Sequence, residues 1–262
     1  MKQIYVIGIG AGDPEHLTLE ALGALGRTDV FFLLDKGADK ADLVALRELI
    51  LQRHAIRPHR VVTVPDPERD RAAPAQGYAP AVDDWRRRRA DVYQRLIAEE
   101  LPAGACGAFL VWGDPALYDS TLGILEEVHA RGTEEFGWTV VPGISSVALL
   151  AARHRTGLNR VGRPLQITTG RRLAEEGLPD GVDDVVVMLD ARQAFGRFTG
   201  QHLHIHWGAY LGTPDEILLA GPLDETLADR IRTVRAEARA RKGWIMDTYL
   251  LRRTGGRPTG GR

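Results

Sequence analysis

The 262-residue chain contains one cysteine, Cys106, and its formal net charge is only −1. A single cysteine excludes an internal disulfide and a cysteine-rich zinc site. The near-neutral charge produces no overall field that would attract nucleic acid or an anionic membrane surface. The sequence has no apolar run close to the roughly 20 residues that span a bilayer, and its amino terminus lacks a signal-peptide pattern. We therefore expect a cytoplasmic protein with no nucleic-acid or membrane partner.

Aromatic residues are also few, at 6% of the chain. A run of arginines, Arg86–Arg89, occurs in the helix-forming stretch 85–101, but on a helix four consecutive side chains point in several directions. Nucleic-acid binding would need a basic domain with interleaved aromatic residues. We therefore interpret this run as a solvated helix surface.

Short apolar runs alternate with amphipathic stretches over residues 1–155. The predicted strands are Ile4–Ile7, Val30–Leu34, Arg60–Val64, Ala108–Trp112 and Thr139–Val141. The predicted helices are Thr18–Leu25, Ala41–Gln52, Val82–Glu100 and Leu117–Ala130. This alternation is typical of an α/β domain with a parallel sheet and helices on both faces.

A segment rich in glycine, asparagine and arginine, residues 156–164, ends this pattern. Closely spaced strand-like segments follow, with one long predicted helix at Asp224–Ala240; these segments are LQITT, DVVVML, HLHIHW, EILLAGPL and GWIMDTYLL. We predict a second α/β domain with a more mixed sheet over residues 156–253. The end of the chain, 254–262, is rich in glycine, proline and arginine and is expected to be disordered.

The first apolar run opens into a glycine cluster, IYVIGIGAGDPEHLTL. Gly8 and Gly10 match the start of the dinucleotide-binding pattern G-x-G-x-x-G, but Asp13 stands at the third glycine position. The following Pro14 has no N–H for a pyrophosphate, and the carboxylate would repel one. An acid after the second strand, Asp35, does resemble a ribose-binding residue. For Asp13, a helix cap and a carboxylate that faces a ligand cleft both stay open.

Two further strand ends carry similar turns. The segment WGDPALYDST follows the fourth predicted strand, and VVPGISS ends the fifth. In an open α/β sheet, ligands bind at the carboxyl ends of the strands, and small residues there let backbone groups approach a ligand closely. We therefore expect a ligand site at these three turns.

Six motifs in order resemble the tetrapyrrole methyltransferases that use S-adenosyl-L-methionine. They are GIGAGDPEHLT, WGDPALYDST, PGISS, VGRP before LQITTG, VVVML and LGTPDEILLAGPL, and together they span about Ile4–Leu223. The resemblance implies the two-domain α/β fold of that family, S-adenosyl-L-methionine as methyl donor with S-adenosyl-L-homocysteine as product, and a homodimer.

The resemblance also implies which residues bind the methyl donor. They are Ala11, Trp112, Gly113, Asp114, Leu117, Ser145, Ser146, Met188 and Gly212. Two positions depart from the family pattern, since Ala11 stands where proline is common and Trp112 where glycine is common. A methionine such as Met188 supplies polarizable apolar surface, although a core methionine on a buried strand would look the same in the sequence.

The segments WGDPALYDSTL and HWGAYLGTPDEILLAGPL most resemble the family members of aerobic cobalamin biosynthesis that methylate carbon 1 of precorrin-5 and release acetate. Loss of the acetyl group requires water attack and a proton carrier, for which Asp13, Asp114 and Tyr118 are the candidate catalytic residues. Two alternatives stay open. One is another precorrin methyltransferase of the same fold, and the other is a nicotinamide-dependent oxidoreductase.

A precorrin carries many carboxylates, which the guanidinium fork of arginine binds well. Six arginines lie at the predicted domain junction or at the strand end that follows it, at positions 153, 155, 160, 163, 171 and 172. We expect two or three of them to bind this substrate. The predicted substrate-binding residues are Arg153, Arg155, Arg163 and Arg171.

Three histidines, His202, His204 and His206, alternate with apolar residues in HLHIHW. Such spacing occurs in some zinc sites. No nearby carboxylate or cysteine pattern completes a metal site, so we interpret these histidines as the solvated side of a half-exposed strand and expect no metal.

Overall fold

The computed structural model describes residues 1–35, 37, 41–68 and 78–254. The chain divides into two compact units, Met1–Ser145 and Ser146–Arg262. The domain boundary at residues 155/156 that the sequence suggests lies after the first helix of the second unit, and it stays a prediction. Of the tail expected to be disordered, residues 255–262 lie outside the described residues.

The first unit contains a five-stranded sheet in the order β3-β2-β4-β1-β5. All four strand pairs are parallel, which confirms the predicted sheet. The strands are β1 (Lys2–Gly8), β2 (Val30–Asp35), β3 (Arg60–Pro65), β4 (Cys106–Val111) and β5 (Phe136–Val141). Because the strands are parallel, the turns that follow β4, β1 and β5 meet at one edge of the sheet.

Helices cover both faces of this sheet, as the alternation predicts. They are α1 (Leu19–Leu25), α2 (Ala41–His54), α3 (Tyr78–Arg95) and α4 (Thr121–Ala130). Successive residues of β1 point to opposite faces: Val6 packs in a core with α3 and α4, and Ile7 packs in a core with α1 and α2. No described helix is long and apolar enough to cross a membrane.

The helix predicted at Leu117–Ala130 begins later, at Thr121. Tyr118 adopts a left-handed conformation with φ of 52°, which a helix cannot include. The Asp119 carboxylate then accepts a hydrogen bond from the Thr121 N–H at 2.7 Å. Residues 117–120 therefore belong to the loop after β4 and not to the helix.

Strands β2 and β4 are paired over only part of their length. Their ladder ends at the Phe32–Phe109 pair, whereas β2 stays paired with β3 as far as Asp35 and β4 with β1 as far as Val111. The carboxyl ends of β2 and β4, residues 33–35 and 110–111, therefore form no ladder with each other. We call this place the β2–β4 gap.

The second unit contains a mixed sheet in the order β6-β7-β10-β8-β9. Strands β6 and β7 are parallel, and the other pairs are antiparallel, which confirms the predicted mixed sheet. The strands are β6 (Leu165–Thr169), β7 (Asp184–Met188), β8 (Leu203–Ala209), β9 (Ile217–Pro222) and β10 (Asp247–Arg253). The helices are α5 (Ser146–Arg153), α6 (Gly170–Glu176) and α7 (Glu225–Lys242).

Candidate functional site

The loops after β4, β1 and β5 contact one another through their backbones. The Gly113 N–H donates to the Gly10 carbonyl at 2.8 Å, and the Gly10 N–H donates back at 3.3 Å. A Cβ on Gly143 would lie 2.1 Å from the Gly113 carbonyl oxygen, and a Cβ on Gly8 would lie 2.5 Å from the Gly143 nitrogen. Gly8 and Gly143 are therefore needed for contact between the loops themselves.

Asp114 holds two of these loops together. Its Oδ2 accepts a hydrogen bond from the Gly143 N–H at 2.9 Å, and its Oδ1 accepts one from the Ala116 N–H at 2.8 Å. Both carboxylate oxygens thus bind backbone donors. This geometry fixes the loop after β5 against the loop after β4, so Asp114 acts as a positioning residue.

Two helical segments follow β1, and a side chain caps the amino end of each. Asp13 Oδ1 accepts the Glu15 N–H at 2.9 Å at the start of a short 3₁₀ turn, and the Thr18 hydroxyl accepts the Ala21 N–H at 3.0 Å at the start of α1. A dinucleotide fold leaves such N–H groups free for the pyrophosphate. Here an anion would meet the Asp13 carboxylate, so the loop does not suit a phosphate.

The structure brings together most of the predicted donor-binding residues of the first unit. Ala11, which is buried, follows Gly10, and the Gly10–Gly113 bridge places it beside the loop that begins at Trp112. The Leu117 N–H donates to the Asp114 carbonyl at 3.2 Å and so closes the same loop. The remaining residue, Ser145, lies at the end of the unit and is partly buried.

In the second unit, Glu216 links two predicted site residues. Its Oε2 accepts hydrogen bonds from the Gly212 N–H at 2.8 Å and from Arg153 Nε at 3.1 Å. Met188 is partly buried at the end of β7, between Thr169 of β6 and Thr248 of β10. Ser146 is the first residue of α5.

The six candidate arginines of the second unit differ in their partners. Three form ion pairs: Arg153 with Glu216, Arg160 with Asp183 and Asp184, and Arg172 with Glu176. Arg155, Arg163 and Arg171 are exposed. Within the described parts of the chain, the guanidinium groups of Arg155 and Arg163 have no ion-pair partner, so these two can bind an external carboxylate without breaking a contact.

Comparison with known proteins shows the family to which these motifs belong. The sequence model described as Tetrapyrrole (Corrin/Porphyrin) Methylases matches residues 3–227 of the chain. The chain belongs to this family. The resemblance and the fold expected from the sequence are therefore confirmed, and the protein is a methyltransferase.

Individual relatives agree with this family over nearly the full chain. The methylase is 48% identical over 254 residues to precorrin-6A synthase [deacetylating] from Sinorhizobium sp, and the match covers 97% of this chain and 96% of that relative. The crystal structure of a cobalamin synthesis related protein, CobF, from Corynebacterium diphtheriae has a TM-score of 0.81 and 38% identity, with 97% of this chain and 100% of that chain covered.

A more distant structure shares the fold alone. Uroporphyrin-III C-methyl transferase from Thermus thermophilus, solved in complex with S-adenyl homocysteine, has a TM-score of 0.57 and 22% identity. That match covers 95% of this methylase and 91% of that chain.

The histidine motif of the methylase forms a partly buried cluster. The rings of His204 and His206 on β8 have centroids 4.5 Å apart, and His154 of α5 packs 5.2 Å from His206. His202 precedes the strand. The expectation that the histidine side of β8 is solvated is therefore wrong for His204 and His206. No group of three His, Cys, Asp or Glu side chains in the described ranges could hold a metal ion.

Because of this histidine cluster, we expect the folding stability of the second unit to decrease at acidic pH. Burial, with His204, His154 and Arg252 nearby, lowers the pKa of His206 to about 4, while in the unfolded chain a histidine titrates near pH 6.5. The unfolded state therefore binds the proton first, and His206 makes stability fall as the pH decreases from about 6.5 toward 4. We expect a loss of about 1–2 kcal/mol between about pH 7 and pH 5.

Urea denaturation of the wild-type protein and of His206→Leu at both pH values would measure this contribution. The variant should lose less stability on acidification than the wild type, and the exposed His59→Gln should behave like the wild type. Equal pH dependence in His206→Leu and the wild type would contradict the prediction.

Two groups that contact predicted site residues or the strands before them, one in each unit, were not identified from the sequence. Glu216 joins Arg153 to Gly212, and its place in the motif GTPDE was the only available signal. Arg47 of α2 donates to the carbonyl of Leu110, two residues before the Trp112 loop. Nothing in the local sequence of α2 distinguishes Arg47 from a surface arginine.

Proposed function

We propose that this methylase transfers a methyl group from S-adenosyl-L-methionine to carbon 1 of precorrin-5, with release of acetate. The observation that carries the proposal is the set of three contacting loops after β4, β1 and β5, whose residues match the family motifs in order. The similarity to a deacetylating precorrin-6A synthase over nearly the full length of both chains supports the choice of substrate.

The charge of the three loops suits a cationic methyl donor. S-adenosyl-L-methionine supplies an electrophilic methyl group on a positively charged sulfonium. Residues 9–18, 112–120 and 142–145 contain no lysine or arginine, whereas Asp13, Asp114 and Asp119 lie within them. We propose that Ala11, the Trp112–Asp114 loop, Leu117 and Ser145 hold the donor in the first unit.

The other predicted donor-binding residues, Ser146, Met188 and Gly212, belong to the second unit and remain predictions of the sequence. The same holds for the substrate-binding arginines, among which Arg155 and Arg163 are favoured because their guanidinium groups have no ion-pair partner in the described ranges. Arg153 would have to exchange its contact with Glu216 for a substrate carboxylate.

Methyl transfer itself needs orientation and the exclusion of water more than a protein nucleophile. Release of the acetyl group as acetate additionally consumes one water, whose oxygen bonds to the acetyl carbonyl carbon as the bond to the ring carbon breaks. The water must lose a proton, for which we propose Asp13 or Tyr118, which is 47% exposed. Asp114 is the weaker candidate, because both of its carboxylate oxygens accept backbone N–H groups.

Methyl-labelled S-adenosyl-L-methionine, incubated with the protein and with precorrin-5 or earlier precorrins, tests the activity. We expect label at carbon 1 of the precorrin-5 product and one equivalent of acetate. Label in an earlier precorrin only would favour another methyltransferase activity of the same fold. Calorimetric binding of NADH without binding of S-adenosyl-L-homocysteine would reject the proposal. The homodimer that the resemblance implies is tested by sedimentation of the same preparation.

A further inference from the structure

A half-buried arginine outside the family motifs lies at the β2–β4 gap. Arg47 of α2 donates from Nε to the Leu110 carbonyl at 3.2 Å and from Nη1 to the Leu43 carbonyl at 2.7 Å. The carbonyls of a strand alternate between its two neighbours. Since the Val111 carbonyl accepts from Ile9 on the β1 side, the Leu110 carbonyl faces β2, where the ladder has ended.

Arg47 therefore takes the hydrogen-bonding place that a continued β2 would fill. Its two bonds to carbonyls fix the guanidinium plane at the carboxyl edge of the sheet. Leu110 is two residues before Trp112, a separation of about 7 Å along an extended strand. The group thus lies close to the loops that we propose to hold the methyl donor.

The positive charge of Arg47 is not neutralised within the described residues. No carboxylate there lies within ion-pair distance of it, and Nη2 has no acceptor. The neighbouring Arg89, in contrast, pairs with Asp66 at 2.8 Å and also donates to Ser120. Burial lowers the pKa of Arg47, and the nearby Asp119 only partly opposes that effect.

A half-buried charge without a counter-ion is stabilised by an external group of opposite charge. The three loops contain no lysine or arginine of their own, and ligands of open α/β sheets bind at this edge. We propose that Arg47 binds an acetate or propionate carboxylate of a polycarboxylate tetrapyrrole substrate through its Nη2 side. This inference rests on the proposed function and adds a substrate-binding residue of the first unit, which the sequence did not indicate.

A purely structural role for Arg47 would be to satisfy the Leu110 carbonyl. That role would affect stability, and through the loops it would affect donor binding and turnover together. A carboxylate-binding role instead raises the KM for the tetrapyrrole and leaves the KM for S-adenosyl-L-methionine unchanged. The two roles are therefore separable by kinetics.

The variants Arg47→Met, Arg47→Lys and Arg53→Met test the proposal, with Arg53 as an exposed arginine of the same helix. In Arg47→Met we expect the KM for precorrin-5 to rise at least about ten-fold, the usual effect of losing a charge-assisted hydrogen bond. The kcat and the KM for S-adenosyl-L-methionine should stay within about two-fold of wild type, since the substitution changes no residue of the three loops that we propose to hold the donor.

Arg47→Lys should recover part of the affinity because it keeps the charge, and Arg53→Met should match the wild type. An unchanged KM for precorrin-5 in folded Arg47→Met overturns the inference, as does an equal loss of donor affinity. If Arg47→Met does not fold, Arg47→Gln, which keeps an amide donor for the Leu110 carbonyl, is measured in the same way.

Equilibrium binding of uroporphyrin, a stable octacarboxylate tetrapyrrole, separates this inference from the proposed function. Should the wild type fail to methylate precorrin-5, weaker quenching of uroporphyrin fluorescence by Arg47→Met than by Arg53→Met would still support the carboxylate site. Equal quenching by the two variants, or none by either, overturns it.

Discussion

Gly143→Ala is expected to weaken the binding of S-adenosyl-L-homocysteine at least about ten-fold and to destabilise the first unit. The added Cβ would lie 2.1 Å from the Gly113 carbonyl oxygen and 2.8 Å from the backbone of Gly8. These are backbone atoms of the loop after β4 and of the last residue of β1, so no side-chain rotation relieves the clash. The loops must separate, which breaks the hydrogen bond from the Gly143 N–H to Asp114.

We expect Gly143→Ala to lose about 1–3 kcal/mol of stability, as overpacked sites do, and to bind the demethylated donor at least about ten-fold more weakly. Urea denaturation and titration calorimetry measure the two effects. Gly26→Ala is the matched control, since its new Cβ would meet nothing closer than 3.6 Å. Wild-type affinity in Gly143→Ala would show that loop contact is not required for donor binding.

The second large effect concerns a buried ion pair of the second unit. Arg235 of α7 contacts Asp247 of β10 at 3.0 Å, with both side chains at least nine-tenths buried, and the Trp207 indole N–H donates to the same carboxylate at 3.0 Å. Arg235→Met leaves Asp247 buried without its counter-charge. Removing one partner of such a pair costs about 3–5 kcal/mol.

The loss should depend on pH in a defined direction. Burial raises the pKa of Asp247, and Arg235 partly opposes this rise. Without Arg235 the folded-state pKa rises further above the unfolded value, so the folded variant binds the proton more readily than the unfolded chain. The stability deficit of Arg235→Met should therefore shrink as the pH falls from about 8 to about 5.

Urea denaturation of Arg235→Met and the wild type at both pH values measures this deficit. Arg239→Met, an exposed site on the same helix, should change stability by less than about 0.5 kcal/mol. A deficit that is equal at the two pH values would contradict the role of an unpaired Asp247 carboxylate.

Much of the fold follows from local sequence, but short elements that depend on distant residues do not. The two sheets were predicted because their strands are apolar runs at regular spacing. Helix α6 was not predicted, since it begins at Gly170 and has only seven residues. A Cβ there would lie 2.2 Å from the Asp190 carboxylate carbon, so the glycine serves a contact with a residue twenty positions away in the chain.

The candidate site, like the fold, was predicted only in the features that local sequence determines. Turns at the ends of β1, β4 and β5 were predicted because glycine, proline and aspartate mark strand ends. The backbone contacts between these turns were not predicted, since they depend on the order of the strands in the sheet. Arg47 was missed for a related reason: its environment arises where the β2–β4 ladder stops, and no pattern within α2 encodes that event.

The position of β10 in the second sheet has a consequence for biosynthesis. This strand comes after the other strands of its unit in the chain, yet it lies between β7 and β8. A nascent chain that ends before Asp247 has two half-sheets, each with an unpaired strand edge toward the missing centre. Such edges promote association between chains. Premature termination before this strand is therefore expected to yield aggregated protein.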